Sequence, residues 1–291
     1  MSDTLSQIGH HCCAAVVILY HPQRDYLDNI RTWIEQVDAV YVVDNSESPD
    51  LTIAEHLSVL PGVTYLAQGE NRGVAYGLNL GARKAIEAGY DYLLTMDQDS
   101  RASGALVKTM FECLDASAAT VGIISPFHLT RAVRQRPSGA TCSDVMTPMT
   151  SGCLLNLSAW RCIGPFREDF FIDFVDDEFC LRLRRNGYQV LQANAALLEH
   201  EVGNVTRFGP FIATNHSPLR RYYKTRNRFA VFAEYRRDFP GHCLFDLVRL
   251  AKEAASIVLF EREKGAKLRM MWRGWRDFRR GKFGKFEGGS R

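Results

Sequence analysis

The chain has 291 residues, 46% hydrophobic and 24% charged, which suits one sizeable globular core, or one core with an appendage, and excludes a disordered or fibrous protein. No apolar stretch approaches the roughly 20 residues that cross a bilayer, and Met1-Ser2-Asp3-Thr4 lacks the basic flank and apolar core of a signal peptide, so the expectation is a cytoplasmic protein. The net charge of +3 conceals an asymmetry: from His216 onward 20 Lys and Arg face 8 Asp and Glu, a net +12 that leaves −9 on the remainder and points to an anionic surface as partner.

Ala14-Ala15-Val16-Val17-Ile18-Leu19 is a continuous apolar run closed by Tyr20-His21-Pro22, the pattern of a parallel strand buried on both faces. Leu27, Ile30, Ile34 and Val37 recur at helical spacing across Tyr26 to Gln36. A second strand, Ala39 to Val43, ends in Asp44-Asn45-Ser46, and a third covers Val63 to Leu66. Gly73 to Ala88 reads as a helix, and Tyr92 to Met96 as a strand that ends in Asp97-Gln98-Asp99. A helix to about Leu114 and a strand from Val121 to Pro126 follow. Arg131 to Pro148 is polar and aperiodic and reads as a mobile loop, a candidate lid over the site. Ser151 to Leu157 returns to strand character, Phe174 to Asn186 is helical and stopped by Gly187, and Tyr188 to Leu191 and Ala196 to Leu198 complete the sheet. Alternating strand and helix predict a doubly wound, Rossmann-like α/β domain over residues 1–215, with its functional residues at one strand edge. Residues 216–291 form a helical, basic extension packed on it.

The eight cysteines include no C-x-x-C pair and sit mostly in apolar surroundings, so reduced thiols without structural metal are expected. Asp97 and Asp99, one residue apart at a strand end, repel unless solvated or shared with a cation, and their hard oxygens suit Mg²⁺ or Mn²⁺ bridging to a diphosphate. An ordinary acidic turn has the same local pattern, so the case depends on its company. Asn71-Arg72-Gly73 opens a helix and lets backbone approach a ligand, without the Lys of a P-loop or the spacing of a dinucleotide fingerprint. Asp44 is placed to accept from the ring N3–H of a uracil or thymine, with Tyr20 and His21 as the pocket wall. In Phe170 to Arg182, carboxylates gather at a helix start among Phe171, Phe174 and Phe179; desolvation makes one of Asp173, Asp176 or Asp177 the general base. Asp176 is read as the N-cap and Glu178 as the partner of Arg182. His200, at another strand end, is a candidate further metal ligand.

Taken together, Val43-Asp44-Asn45-Ser46, Asn71-Arg72-Gly73, Met96 to Ser100, Ser151-Gly152-Cys153, the Asp173 to Arg182 block, Arg220 to Asn227 and Arg273 to Phe278 resemble the inverting family 2 glycosyltransferases of the GT-A fold, and among them the bacterial rhamnosyltransferases. The resemblance implies that Asp97 and Asp99, with His200, hold a divalent cation on a nucleotide-sugar diphosphate, and that Asp176 is the base. The family often has Glu-Asp at that point; Val175 replaces the Glu here, which leaves Asp173 as the substitute to watch. Tyr20, Asp44, Asn71, Gly73, Asp173 and Arg226 are assigned to the substrate. The implied donor is dTDP-L-rhamnose, and the acceptor a sugar on a cell-surface polysaccharide or lipid carrier.

In the tail, Met270, Trp272, Trp275, Phe278 and Phe286 interleave with Lys and Arg, a mixture suited to the inner face of an anionic membrane, to packing on the first domain, or to a homo-oligomer contact. Competing readings are a family member using a UDP-hexose, a nucleotidyltransferase, which lacks its basic glycine-rich loop here, a silent sugar-nucleotide or polysaccharide binder, and a nucleic-acid binder using the tail. The two acidic motifs together argue for a working transferase and against nucleic acid as partner.

Overall fold

Strand β1 (Cys13–Leu19) is buried along its whole length, and its alternating side chains enter two separate cores. Ala14, Val16 and Ile18 pack on one face of the sheet, and Cys13, Ala15, Val17 and Leu19 on the other. This double burial is why the segment is apolar without alternation. The protein is described from a computed structural model over residues 11–23, 25–129, 140–200, 206–208, 211–213 and 215–288.

After β1 come α1 (Tyr26–Arg31), β2 (Ala39–Asp44), α2 (Leu51–Ser58), β3 (Val63–Ala67), α3 (Val74–Glu87) and β4 (Tyr92–Asp97). Strands β3, β2, β1 and β4 lie side by side and run parallel, so their carboxyl ends share one edge. Next are β5 (Ser100–Ala102), α4 (Leu106–Asp115), β6 (Val121–Leu129), β7 (Cys142–Asp144), β8 (Cys153–Asn156), α5 (Leu157–Ile163), α6 (Val175–Arg185) and β9 (Gln189–His200). Strand β8 is antiparallel to both β4 and β6, so the sheet is mixed rather than wholly parallel. Helix α3 packs through Ala75, Leu78, Ala82 and Ala85, and Gly81 faces Val16 so closely that a Cβ there would collide with its methyl groups.

Four expectations need correction. The helix expected from Tyr26 to Gln36 breaks into α1 and a short 3-10 turn at Ile34–Gln36. The two strands expected after Gly187 are one 12-residue strand, β9, whose irregular pairing with β6 accommodates Asn194, Ala195 and Ala196. Within the segment read as a loop from Arg131 to Pro148, Cys142–Asp144 is a strand paired with β9; residues 131–139 lie outside the described residues. Finally, Cys113 of α4 and Cys142 of β7 are joined in a disulfide, their Cα atoms 5.8 Å apart, where reduced thiols were expected. Their separation of 29 residues carries no recognisable spacing signal.

A short hairpin, β10 (Thr206–Phe208) and β11 (Phe211–Ala213), precedes the C-terminal helices α7 (Pro218–Tyr235), α8 (Pro240–Phe260) and α9 (Lys264–Arg279). Helix α7 starts under a Ser217 cap with Pro218 in its first turn. Helix α9 lies along α7: Tyr222 donates to Asp277 at 3.0 Å, and Gly274 passes against the Tyr222 carbonyl where no side chain would fit. The charges between these helices are internal and paired. Arg221 meets Glu261 at 2.7 Å, Lys267 meets the same carboxylate at 2.8 Å, and Arg228 bridges Asp246 and Glu253. Burial works against the charge on Glu253, but Lys224, Arg228 and Arg221 outweigh it and hold the carboxyl down at about 2. Met270, Phe278, Phe283 and Phe286 turn inward, whereas Trp272 and Trp275 stay exposed.

Candidate active site

The common edge of β1, β2 and β4 carries Tyr20, Asp44 and Asp97 one after another. Tyr20 is exposed, and its backbone N–H donates to Gln98 Oε1 at 2.8 Å, which ties the end of β1 to the acidic tripeptide. His21 is fixed beside it by Ser46 and Glu47. Asp44 is fully buried: Oδ1 accepts from the Ser46 N–H at 2.9 Å and Oδ2 from the Tyr65 hydroxyl at 2.6 Å. A base reaching Asp44 therefore competes with Tyr65, a residue the sequence did not bring forward. Asn45 turns to donate to the Gly73 carbonyl, and Asn71 Oδ1 accepts from the Gly73 N–H, both at 3.0 Å.

Gly73 adopts φ 88°, and a Cβ there would strike the Phe171 carbonyl. The same carbonyl accepts from the Val74 N–H at 2.8 Å, so the start of α3 and the acidic block are welded together. Between them opens a cleft of about 140 Å³, lined by Tyr20, Asn45, Asn71, Gly73, Phe171 and Ile172 among others.

At the end of β4, Asp97 is half-buried and its backbone N–H donates to Ser151 Oγ at 3.1 Å, while Asp99 is exposed. Ser151 also bonds Ser100 at 2.8 Å, and Ser100 pairs across β5–β9 with His200. The register thus brings the His200 backbone beside the acidic tripeptide. Among the described residues no three His, Cys, Asp or Glu side chains form a ready-made metal cage. The donor set present, two carboxylates at an open strand end, fits a hard cation that draws its remaining ligands from a diphosphate and water, the usual habit of Mg²⁺.

The acidic block is conformationally unusual. Phe171, Asp173 and Phe174 all have positive φ, at 67°, 62° and 64°, and Phe174 in the left-handed region caps α6, the position expected for Asp176. Such conformations cost on the order of 1–3 kcal/mol each and persist only when the surroundings over-determine them. The restraint comes from α7. The Asn227 amide nitrogen, fully buried, lies 2.8 Å from Asp173 O, 2.9 Å from Ile172 O and 3.0 Å from Phe170 O. Arg226 donates to Asp169 O, Phe170 O and Gly284 O and is 1% exposed. Its expected place at the substrate is corrected accordingly: its guanidinium lies beneath the block and holds it. Arg220 grips both oxygens of Asp173 at 3.1–3.2 Å. Arg220, Tyr223 and Asn227 are spaced i, i+3, i+7, the signal by which this restraining face of α7 can be found in the sequence.

The carboxylates of the block are thereby sorted. Asp173 is ion-paired with Arg220. Glu178 is buried, bonded to Arg182 at 2.9 Å as expected and also to the Tyr235 hydroxyl at 2.7 Å, so it serves the core. Asp177 carries a raised pKa, mainly from burial. Asp176 accepts from the Asp177 N–H, and burial together with the neighbouring Asp177 charge pushes its carboxyl up to about 7. The buried Cys153 thiol is raised by burial and, to a lesser degree, by the charges of Asp176 and Asp97.

Residues 16–151 match the profile of Glycosyl transferase family 2. The dTDP-rhamnosyl transferase RfbF of Shigella flexneri is 27% identical over 239 residues, 74% of this chain and 78% of the relative. The low-salt glycan biosynthesis hexosyltransferase Agl10 of Haloferax volcanii is 24% identical over 74% of each chain. Among solved structures, S. aureus TarS 1-349 in complex with UDP-GlcNAc superposes with a TM-score of 0.64 at 14% identity, covering 93% of this chain and 81% of that one. GalNAc-T7 with UDP, GalNAc and Mn²⁺ gives 0.58 at 11% identity, over 75% of this chain but only 47% of its own. Residues 16–151 thus carry a family 2 glycosyltransferase domain, on a fold similar to that of solved GT-A glycosyltransferases and followed by a C-terminal helical region. A dTDP-rhamnosyl transferase stands among its distant relatives.

Proposed function

We propose that the protein transfers L-rhamnose from dTDP-L-rhamnose, with inversion, to a sugar hydroxyl on a cell-surface polysaccharide or lipid-linked glycan precursor. The observation that carries the mechanism is the sorting of carboxylates: Asp173 and Glu178 are committed to Arg220 and Arg182, while burial and the neighbouring Asp177 raise the Asp176 carboxyl to about 7. The relative named for dTDP-rhamnosyl transfer supports the donor.

In this reading the base and sugar of the donor enter the cleft beside Tyr20, Asn71 and Gly73, and its diphosphate lies along Asp97 and Asp99. Asp97 and Asp99, with His200, would hold a Mg²⁺ or Mn²⁺ ion, which would supply charge neutralisation to the departing diphosphate. Asp176 takes the proton from the acceptor hydroxyl as that oxygen forms its bond to the anomeric carbon and the bond to the diphosphate breaks. One displacement inverts the configuration. Asn227 and Arg226 keep the backbone of the acidic block in place, and Arg220 holds both carboxylate oxygens of Asp173.

Calorimetric titration with dTDP-L-rhamnose, UDP-glucose and UDP-GlcNAc, with and without Mg²⁺ or Mn²⁺, tests the donor. Metal-dependent binding of dTDP-L-rhamnose above the others is expected. Preference for a UDP-hexose would keep the mechanism and remove rhamnose, and no binding at all would return weight to a silent binder.

A further inference from the structure

Helix α8 is amphipathic in the inverted sense. Its polar side chains Asp246 and Glu253 face α7, where Arg228, Arg221 and Lys224 bind them. Its apolar side chains Leu244, Phe245, Val248, Val258, Leu259 and Phe260 face outward, with Leu244 64%, Phe245 63% and Leu259 56% exposed. On a helix of 3.6 residues per turn, Leu244, Val248, Ala255, Val258 and Leu259 form one stripe that runs nearly the full 21 residues. Arg249 and Lys252 flank it, both exposed. The next helix repeats the pattern: Leu268, Trp272, Trp275 and Arg279 recur at i, i+4, i+7, i+11 on the exposed side of α9. From Arg262 to Lys285 there are ten Lys and Arg against two carboxylates, and one of the two, Asp277, is buried beneath Tyr222.

An apolar stripe of this length on a water-facing helix requires an occupant. We infer that the outer faces of α8 and α9 are seated on an anionic lipid bilayer, lying in the interface with Leu244, Phe245, Leu259, Trp272 and Trp275 in the headgroup and acyl boundary. Charge selects this occupant. Two copies of the chain meeting through these faces would bring two cation-rich surfaces together, whereas acidic headgroups neutralise them. Indole rings with an apolar body and one N–H donor suit the boundary region. Among the described residues no helix is long and apolar enough to cross a membrane, which fits a surface-lying mode. The inference stands on the surface alone. Its bearing on the reaction rests on the proposed transfer: α8 and α9, which would touch lipid, pack on α7, whose Asn227 and Arg220 hold the acidic block, so a lipid-carried acceptor would be met near where it is used.

The test is flotation of the full chain on vesicles of phosphatidylcholine alone and of phosphatidylcholine with roughly 30% phosphatidylglycerol. Partition onto the anionic vesicles is expected to exceed that onto neutral ones by about tenfold or more, and to fall with added salt. The double variants Leu244→Glu/Leu259→Glu and Trp272→Glu/Trp275→Glu should each lose it while retaining the nucleotide-sugar binding of the parent, a check on folding at positions that do not line the cleft. Failure to float with either vesicle, or flotation that both variants preserve, overturns the assignment. Sedimentation equilibrium showing a dimer that these variants dissociate, without flotation of the parent, overturns it in favour of a second copy of the chain.

Discussion

Asp176 sits among carboxylates of the same local sequence, yet its environment differs: among the described residues no Lys or Arg pairs with it, and burial beside Asp177 brings its pKa to about 7. The carboxylate is the active form of a base, so transfer should rise with pH roughly tenfold per unit below 7 and level off above it. The sign follows from the upward shift, since an ordinary Asp would be ionised throughout this range. Asp176→Asn should lower kcat by about 10²–10⁴-fold, abolish the pH limb and leave donor affinity nearly intact in calorimetry. Full activity in that variant would transfer the role to Asp177 or Asp173. Asp99 is exposed at the strand end. Asp99→Ala should remove the metal-dependent part of donor binding, measured by titration with and without Mg²⁺.

At the scale of elements, α7 is the support that makes a strained turn usable. Three positive-φ residues precede α6, and the amide nitrogen of one buried Asn227 lies within hydrogen-bond distance of the Phe170, Ile172 and Asp173 carbonyls in the same turn. Asn227→Ala leaves those carbonyls to relax or remain unsatisfied, at a cost of about 1–3 kcal/mol read by urea unfolding. A purely structural role would stop there. A positioning role predicts in addition a lower kcat at saturating donor with the Asp176 pH limb displaced, because the turn fixes how Asp176 is buried. Asn227→Asp retains size but loses the donor, and should behave like the Ala variant. Strands β1, β2 and β4 need no such support: their parallel register alone brings Tyr20, Asp44 and Asp97 to one edge.

For the whole molecule, the strands and the sheet edge were legible because strongly apolar runs end in polar residues, and that transition marks a strand's carboxyl end. The tripeptide Asp97-Gln98-Asp99 and the helical acidic block were legible for the same reason. Arg226 was not: a basic motif on a helix does not state which side faces water, and this guanidinium is turned inward onto backbone carbonyls. Nor was the burial of Asp44 under Tyr65, since the two lie on neighbouring strands 21 residues apart. The sequence by itself determined the alternation of elements, the edge at which the polar strand ends gather and the charge of the tail, because these depend on local periodicity and composition. Only the tertiary structure decided which carboxylate is buried without a cation, which cation is internal, and which face of α8 meets the surroundings, because desolvation and pairing depend on residues brought together from distant parts of the chain.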